Sequence, residues 1–305
     1  VQLTANFMTS YGEDYTSIDI EVKKNKELKI LDHAPWTVWP FLPPQSKGES
    51  RGADRPGYNP KRSFRIQLLD ASNQPLKNEA VKIISKFEEK SGGHEHVNGD
   101  KALPQDKQGA FWSKGEHGNP IHLRSDGDGM IRVDSLVELQ VGGRYLITAM
   151  TEADTTVKDT VSLVVKVPGL TEFGTGTYWK LTGNTSTDGQ NHPSNHWCTP
   201  IMKDSLTRVL KRFYEWTESK EGGGQAIALG LNDMSLQWGG VFEYPGKWQF
   251  GVEHSFHRVG VSVDIDRSGM TPEQLDKLTD VMKNVGGGIR NKEILKIHYG
   301  FDGGN

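Results

Sequence analysis

The sequence predicts an all-β sandwich followed by a domain of α+β type, and three observations carry that expectation. Between about Ser63 and Pro168, short segments of period-two alternation are separated by turn residues. After Pro168–Gly169, two stretches place apolar residues at helical spacing. Short alternating runs lie between and after those stretches, so helices and strands share one unit.

Length and composition agree with two domains. A chain of 305 residues is long enough for both. An apolar content of 34% suits β-rich domains joined by polar loops, and 35 glycines imply many turns. The net charge is −3, with both signs spread along the chain, so no basic surface argues for a nucleic-acid partner. No run approaches the roughly 20 apolar residues that cross a bilayer, so no transmembrane segment is expected. The single cysteine, Cys198, excludes an internal disulfide. The first residue is Val1, which is compatible with removal of a signal peptide or propeptide and equally with an incomplete chain.

Residues 1–62 read as an amino-terminal segment, partly irregular. It has one alternating run, "SIDIEVKKNKELKI", and then a stretch rich in proline, glycine and charge that reads as a loop or linker. Residues 63–168 form the expected sandwich. Its strands are "SFRIQLLDASNQPL", "EAVKIISKFEE", "GMIRVDSL", "GRYLITAMT" and "DTVSLVVKVPG", with turns at Asn73, Gly127, Gly129 and Gly142–Gly143.

Residues 179–305 form the expected α+β domain, with a boundary between about Val167 and Tyr178. Ile201, Leu206, Leu210, Phe213 and Trp216 mark one helix. "TPEQLDKLTDVMKNV" marks another, with Thr271 as cap and Glu273 in its first turn. "QAIALGLNDMSL", "HRVGVSVDID" and "EILKIHYG" read as strands.

The stretch "EHSFHRVGVSVDID" holds the candidate site. His257 sits in the loop entering a strand and Asp264 lies near the strand's far end. A seven-residue separation puts the two on opposite faces of a straight strand. A turn or bulge at Gly260 resets the register and lets both side chains converge on one metal. Taken alone, such a pair reads as a loop histidine and a strand-end aspartate.

The wider pattern changes that reading. Ser255, His257, Gly260 and Asp264 fit S-x-H-x-x-G-x-x-x-D, with "LNDMSLQWGGVFEYPGKWQF" just upstream. From about Trp179 onward the chain resembles the zinc metallopeptidases that group D-Ala-D-Ala peptidases, penicillin-insensitive murein endopeptidases and the hedgehog amino-terminal domain. The spacing of His254, His257 and Asp264 is most similar to the murein endopeptidase branch.

The resemblance implies a hedgehog/D-Ala-D-Ala peptidase-like α+β fold, a Zn2+ cofactor, and His257 and Asp264 as ligands, with His254 at the metal's edge. That family takes a third ligand from a late-strand histidine. Here either His298 is that ligand, or it is the nearby catalytic histidine and the ligand lies beyond Asn305. Glu293, His298 and Glu253 are candidate general bases, and Arg258 could hold a substrate carboxylate or a developing oxyanion. Trp238, Trp248 and Tyr244 line a groove or a core.

Four further groups invite a metal reading. His192, His196 and Cys198 cluster but fall short of a four-ligand structural site, so His196 is expected beside the cleft and Cys198 in a core. His94 and His96 read as loop histidines, like His117 and His122. "DGDG" lacks the spaced ligands and terminal glutamate of a calcium loop. The 63–168 pattern resembles bacterial Ig-like domains of surface proteins, which implies display or spacing rather than chemistry.

Taken together, the implied function is zinc-dependent hydrolysis of peptidoglycan peptides by a secreted, periplasmic or cell-surface protein. The alternative is a non-catalytic surface or assembly protein that keeps a structural metal site and binds another extracellular polypeptide.

Overall fold

The computed structural model describes residues 2–6, 17–21, 26–32, 36–42, 57–94, 102–183, 192, 195–241, 248, 257–285, 287–292 and 296–301. For residues 2–6, 17–21, 287–292 and 296–301 the description is of the backbone.

The chain opens with β1 (Gln2–Asn6) and β2 (Ser17–Glu21), an antiparallel pair. Next come β3 (Lys26–Ile30), β4 (Trp36–Val38), β5 (Arg62–Asp70) and β6 (Ala80–Glu88). β7 (Ala110–Ser113), β8 (Glu116–Gly118), β9 (Ile121–Arg124), β10 (Met130–Val137), β11 (Gly143–Thr151) and β12 (Lys158–Val165) complete this part. Ten of these strands make two five-stranded sheets, in the orders β3-β5-β10-β7-β8 and β4-β12-β11-β6-β9.

Alternation builds the sandwich core. Phe64, Ile66 and Leu68 of β5 point inward, as do Val81, Ile83 and Phe87 of β6 and Tyr145, Ile147 and Ala149 of β11. In β10 a register shift between Val133 and Leu136 keeps both of those residues buried, although odd spacing would separate them. Two strands from the first 62 residues belong to this body. β3 pairs antiparallel with β5, and β4 pairs parallel with β12, burying Leu28, Ile30, Trp36 and Val38. The backbone amide of Ile30 also donates to Asp159 Oδ2 at 2.8 Å.

Beyond the sandwich lie β13 (Thr171–Glu172), β14 (Trp179–Leu181), β15 (Trp197–Cys198), α1 (Pro200–Glu218) and β16 (Leu229–Leu231). They are followed by β17 (Ser262–Asp266), α2 (Pro272–Lys283), β18 (Gly287–Lys292) and β19 (Lys296–Phe301). A third five-stranded sheet runs β14-β16-β17-β19-β18.

Both helices start where cap chemistry allows. Thr199 Oγ1 accepts from the Met202 amide, with Pro200 in the first turn, where its missing N–H costs nothing. Thr271 and Gln274 close a capping box on α2. Met202, Leu206, Leu210 and Phe213 of α1 and Leu278 and Met282 of α2 bury against Leu229, Leu231, Val263 and Ile265 of the sheet.

This architecture corrects the expected fold class. An all-β sandwich followed by an α+β hedgehog/D-Ala-D-Ala peptidase-like domain is not what forms. The protein is mostly β, with nineteen strands and two α-helices among the described residues. Two helical periods were legible locally, but the helices cover one of three five-stranded sheets, and strands and loops set the class.

Sandwich and carboxy-terminal part are also joined through the backbone. Val241 belongs to the sandwich core, its amide donating to the Gln140 carbonyl at 2.9 Å. A β-bridge links Val141 with Gly240, and the Val167 amide donates to the Trp238 carbonyl at 2.9 Å. A small apolar cluster of Trp39, Leu42, Val167 and Val259 straddles the join.

Candidate metal centre

His257 opens a tight turn that runs directly into β17. Gly260 closes the turn with φ +68°, a left-handed conformation that glycine adopts without a steric penalty. Its amide donates to the His257 carbonyl at 3.3 Å, and its carbonyl accepts from the Thr199 amide at 2.8 Å. A Cβ at position 260 would stand 2.5 Å from Leu170 Cδ2 and 3.0 Å from Cys198 Cα. The turn is therefore pressed against the start of α1.

Beyond the turn, Val263 and Ile265 bury into the helix-facing core, which sends Asp264 to the other face of β17. The odd spacing is resolved as the glycine turn allows. His257 Nε2 lies 3.5 Å from Asp264 Oδ1, with the histidine 2% exposed. Burial alone would push the His257 imidazole down. The Asp264 carboxylate, with smaller contributions from Asp233 and the Ser262 backbone, outweighs this and raises its pKa.

The separation is that of a buried ion pair and also matches two ligands of one zinc, a site that would need at least one more protein ligand. A charge-assisted N–H···O bond is typically about 2.7–2.9 Å, shorter than the distance seen. Nitrogen and oxygen ligands bound tetrahedrally to one zinc, each about 2.0–2.1 Å from it, stand about 3.4 Å apart. No set of three or more His, Cys, Asp or Glu side chains is placed to hold a metal among the described residues.

The remaining expected site residues fall in different places. The backbone of His298 in β19 is the register partner of Asp264. His254 and Glu293 lie outside the described residues, as do Glu253, Tyr244 and His96. Arg258 is 1% exposed, and its carbonyl accepts from the Gly240 amide at 2.8 Å, tying the turn to the sandwich join. Cys198 is buried in the core under α1, which pushes its thiol up to about 12.

Asp233 and Asn195 stand beside the pair without having been singled out in the sequence. The Asp264 amide donates to the Asp233 carbonyl at 2.9 Å, and Asn195 Nδ2 donates to Asp233 Oδ1 at 2.8 Å. The signal was faint: "LNDMSLQWGG" follows β16 without a period and holds the only carboxylate of that stretch. His196 Nε2 lies 3.1 Å from the Leu231 carbonyl, and burial lowers its pKa.

A histidine pair forms elsewhere. His94 and His192 are both buried, with ring centroids 5.9 Å apart, and His94 lies 5.1 Å from the Trp248 ring. His94 thus belongs to a packed aromatic group that includes Phe87. His122 instead meets Glu152 at the surface, at 2.5 Å.

Comparison with known proteins places little around this geometry. No known family and no curated protein matches the sequence. Among solved structures, the Yersinia pseudotuberculosis adhesin InvE aligns over 82% of this chain and 72% of its own, at 10% identity and a TM-score of 0.32. Among the described residues, no helix is long and apolar enough to cross a membrane.

Proposed function

We propose that this chain is a zinc-dependent hydrolase of peptide amides, acting on peptidoglycan peptides outside the cytoplasm. The observation that carries the proposal is the buried approach of His257 Nε2 to Asp264 Oδ1 at 3.5 Å, set up by the left-handed turn at Gly260. The resemblance of the S-x-H-x-x-G-x-x-x-D stretch to zinc peptidases supports the choice of metal and of reaction.

In this reading His257 and Asp264 are two protein ligands and His298 the third. Bound there, zinc would supply Lewis-acid polarisation of a carbonyl and acidify a water towards neutral pH. The chain's own work is to hold the ligands. Gly260 aims His257, β17 aims Asp264, and Asn195 and Asp233 brace the strand edge next to it. Glu293 or Glu253 would take the proton from the attacking water, with His254 at the metal's edge. Arg258 sets a permanent positive charge one residue from the metal histidine.

A second reading keeps the metal but not the reaction. Burial of His257 and Arg258, and the tie between their turn and the sandwich, favour a structural metal in an extracellular surface or assembly protein. One experiment separates the two: elemental analysis for zinc, combined with release of soluble peptides from purified cell walls. The hydrolase reading predicts bound zinc and peptide release, both lost in Asp264→Ala. Zinc without release supports the structural reading, and absence of zinc contradicts both.

A further inference from the structure

Strand register gathers on one face of the sandwich side chains that lie far apart in the sequence. In the sheet β4-β12-β11-β6-β9, Val81, Ile83, Tyr145, Ile147, Leu163 and Val165 point into the core, so the residues alternating with them point outward. Pairing then sets Met150 of β11 between Lys82 of β6 and Lys158 of β12, and Leu146 between Lys86 and Ser162. Ile84 follows between the two β6 lysines, opposite Thr148. Thr148 and Thr160 share a hydrogen bond of 3.0 Å on this face, and Arg124 of β9 extends it beside Ala80.

Two properties set this face apart. Leu146 is 37% exposed, an aliphatic side chain on the middle strand of the sheet left open to solvent. Among the described residues, Lys82, Lys86, Arg124 and Lys158 make no ion pair, and the nearby carboxylates of Glu88 and Glu152 are engaged by Arg144 and His122. On the other sheet the cations are matched: Lys29 pairs with Glu27 at 3.0 Å, Arg65 with Asp32 at 3.1 Å and Arg132 with Asp134 at 3.1 Å. One face neutralises itself, and the other carries an excess of cations on a chain of net charge −3.

The mixture narrows the occupant. Lysines alone would be an ordinary solvated face, but cations around exposed aliphatic groups have the anatomy of a protein interface, with an apolar centre inside a polar rim. A nucleic acid would engage the cations and leave the aliphatic row in water. A second copy docked through the same face would set lysine against lysine. We propose that the outer face of this sheet docks a partner protein whose own face has an aliphatic centre and a rim of aspartate and glutamate. The face shares no group with His257 or Asp264 and stands independently of the metal reading.

The test titrates the full chain into a fluorescently labelled random copolymer of glutamate and leucine, read by anisotropy. Polyglutamate, a copolymer of lysine and leucine, and duplex DNA serve as comparisons. The glutamate–leucine copolymer should bind about tenfold more tightly than each of these, and added salt should weaken it. Lys86→Glu combined with Lys158→Glu, both at exposed positions, should weaken it about tenfold or more. Leu146→Ser, which leaves the charge alone, should weaken it severalfold. Lys29→Glu combined with Lys114→Glu makes the same change of charge on the other sheet and its β7–β8 turn, and should leave binding unchanged, as should His257→Ala. Failure of the copolymer to bind, equal binding by polyglutamate or DNA, or equal losses in the two paired variants would overturn the proposal.

Discussion

The backbone amide of Thr199 donates to the carbonyl of Gly260 at 2.8 Å, so the cap of α1 and the turn carrying His257 form one hydrogen-bonded unit. Geometry at the His257–Asp264 pair therefore depends on a helix start more than fifty residues away in sequence. It depends above all on the left-handed backbone at Gly260.

Gly260→Val should fold less stably and lose zinc together. The substitution forces a β-branched side chain into φ +68° and against Leu170 and the Cys198 backbone. Backbone strain of this kind costs about 1–3 kcal/mol before any clash is relieved. Urea titration and zinc content measured on the same samples check this. A variant with the parent's midpoint and zinc content would show that the turn does not position the ligands.

Val241→Ala should destabilise the whole chain as one unit. Val241 comes from the carboxy-terminal part but is fully buried in the sandwich core. Truncating it should cost about 2 kcal/mol, from lost burial and the cavity left behind. Denaturation followed by far-ultraviolet circular dichroism and by tryptophan fluorescence should shift together. Two separate transitions would show that the parts fold independently.

The metal-free protein should respond to pH through His257. Its folded pKa lies above the unfolded value of 6.5, mainly because the Asp264 carboxylate outweighs burial. The stability it contributes is therefore complete below about pH 6.5 and is lost as pH rises through the raised folded value. Zinc requires the neutral imidazole, so metal affinity should move the opposite way and fall on acidification. With chelator present, the stability gap between parent and Asp264→Asn should narrow as pH rises. A gap that widens would reverse the assignment.

Cys198 should be silent towards thiol reagents in the native chain. It is fully buried beside α1, and burial raises its thiol to about 12, so almost no thiolate forms near neutral pH. Ellman's reagent should detect the thiol only after denaturant is added. Rapid labelling of the folded protein would contradict that placement.

Much of the sandwich was legible in the sequence because alternation in β5, β6, β11 and β12 is local. The two helices were legible for the same reason, down to the Thr271 cap. The participation of β3 and β4 was not. Their partners β5 and β12 lie across a proline- and glycine-rich stretch or more than a hundred residues away, and no local pattern encodes such pairing. Segment 236–241 carries no period either, so its insertion into the sandwich join was invisible. The fold class of the second half failed because helical and strand periods reveal element types, not how many strands the sheets gather. At the candidate site, the His257, Gly260 and Asp264 relationship was readable from odd spacing and one glycine. Asp233 and Asn195 were not, since they act through contacts that only the folded chain creates.

The most direct measurement is zinc per chain, by elemental analysis of the purified protein and of His257→Ala and Asp264→Ala. Both substitutions shorten a side chain at the proposed centre and leave the cores under α1 and in the sandwich untouched. The account predicts close to one zinc in the parent and well below one in each variant, with circular dichroism unchanged. A parent without zinc, or variants that keep it at the parent's stoichiometry, would contradict it.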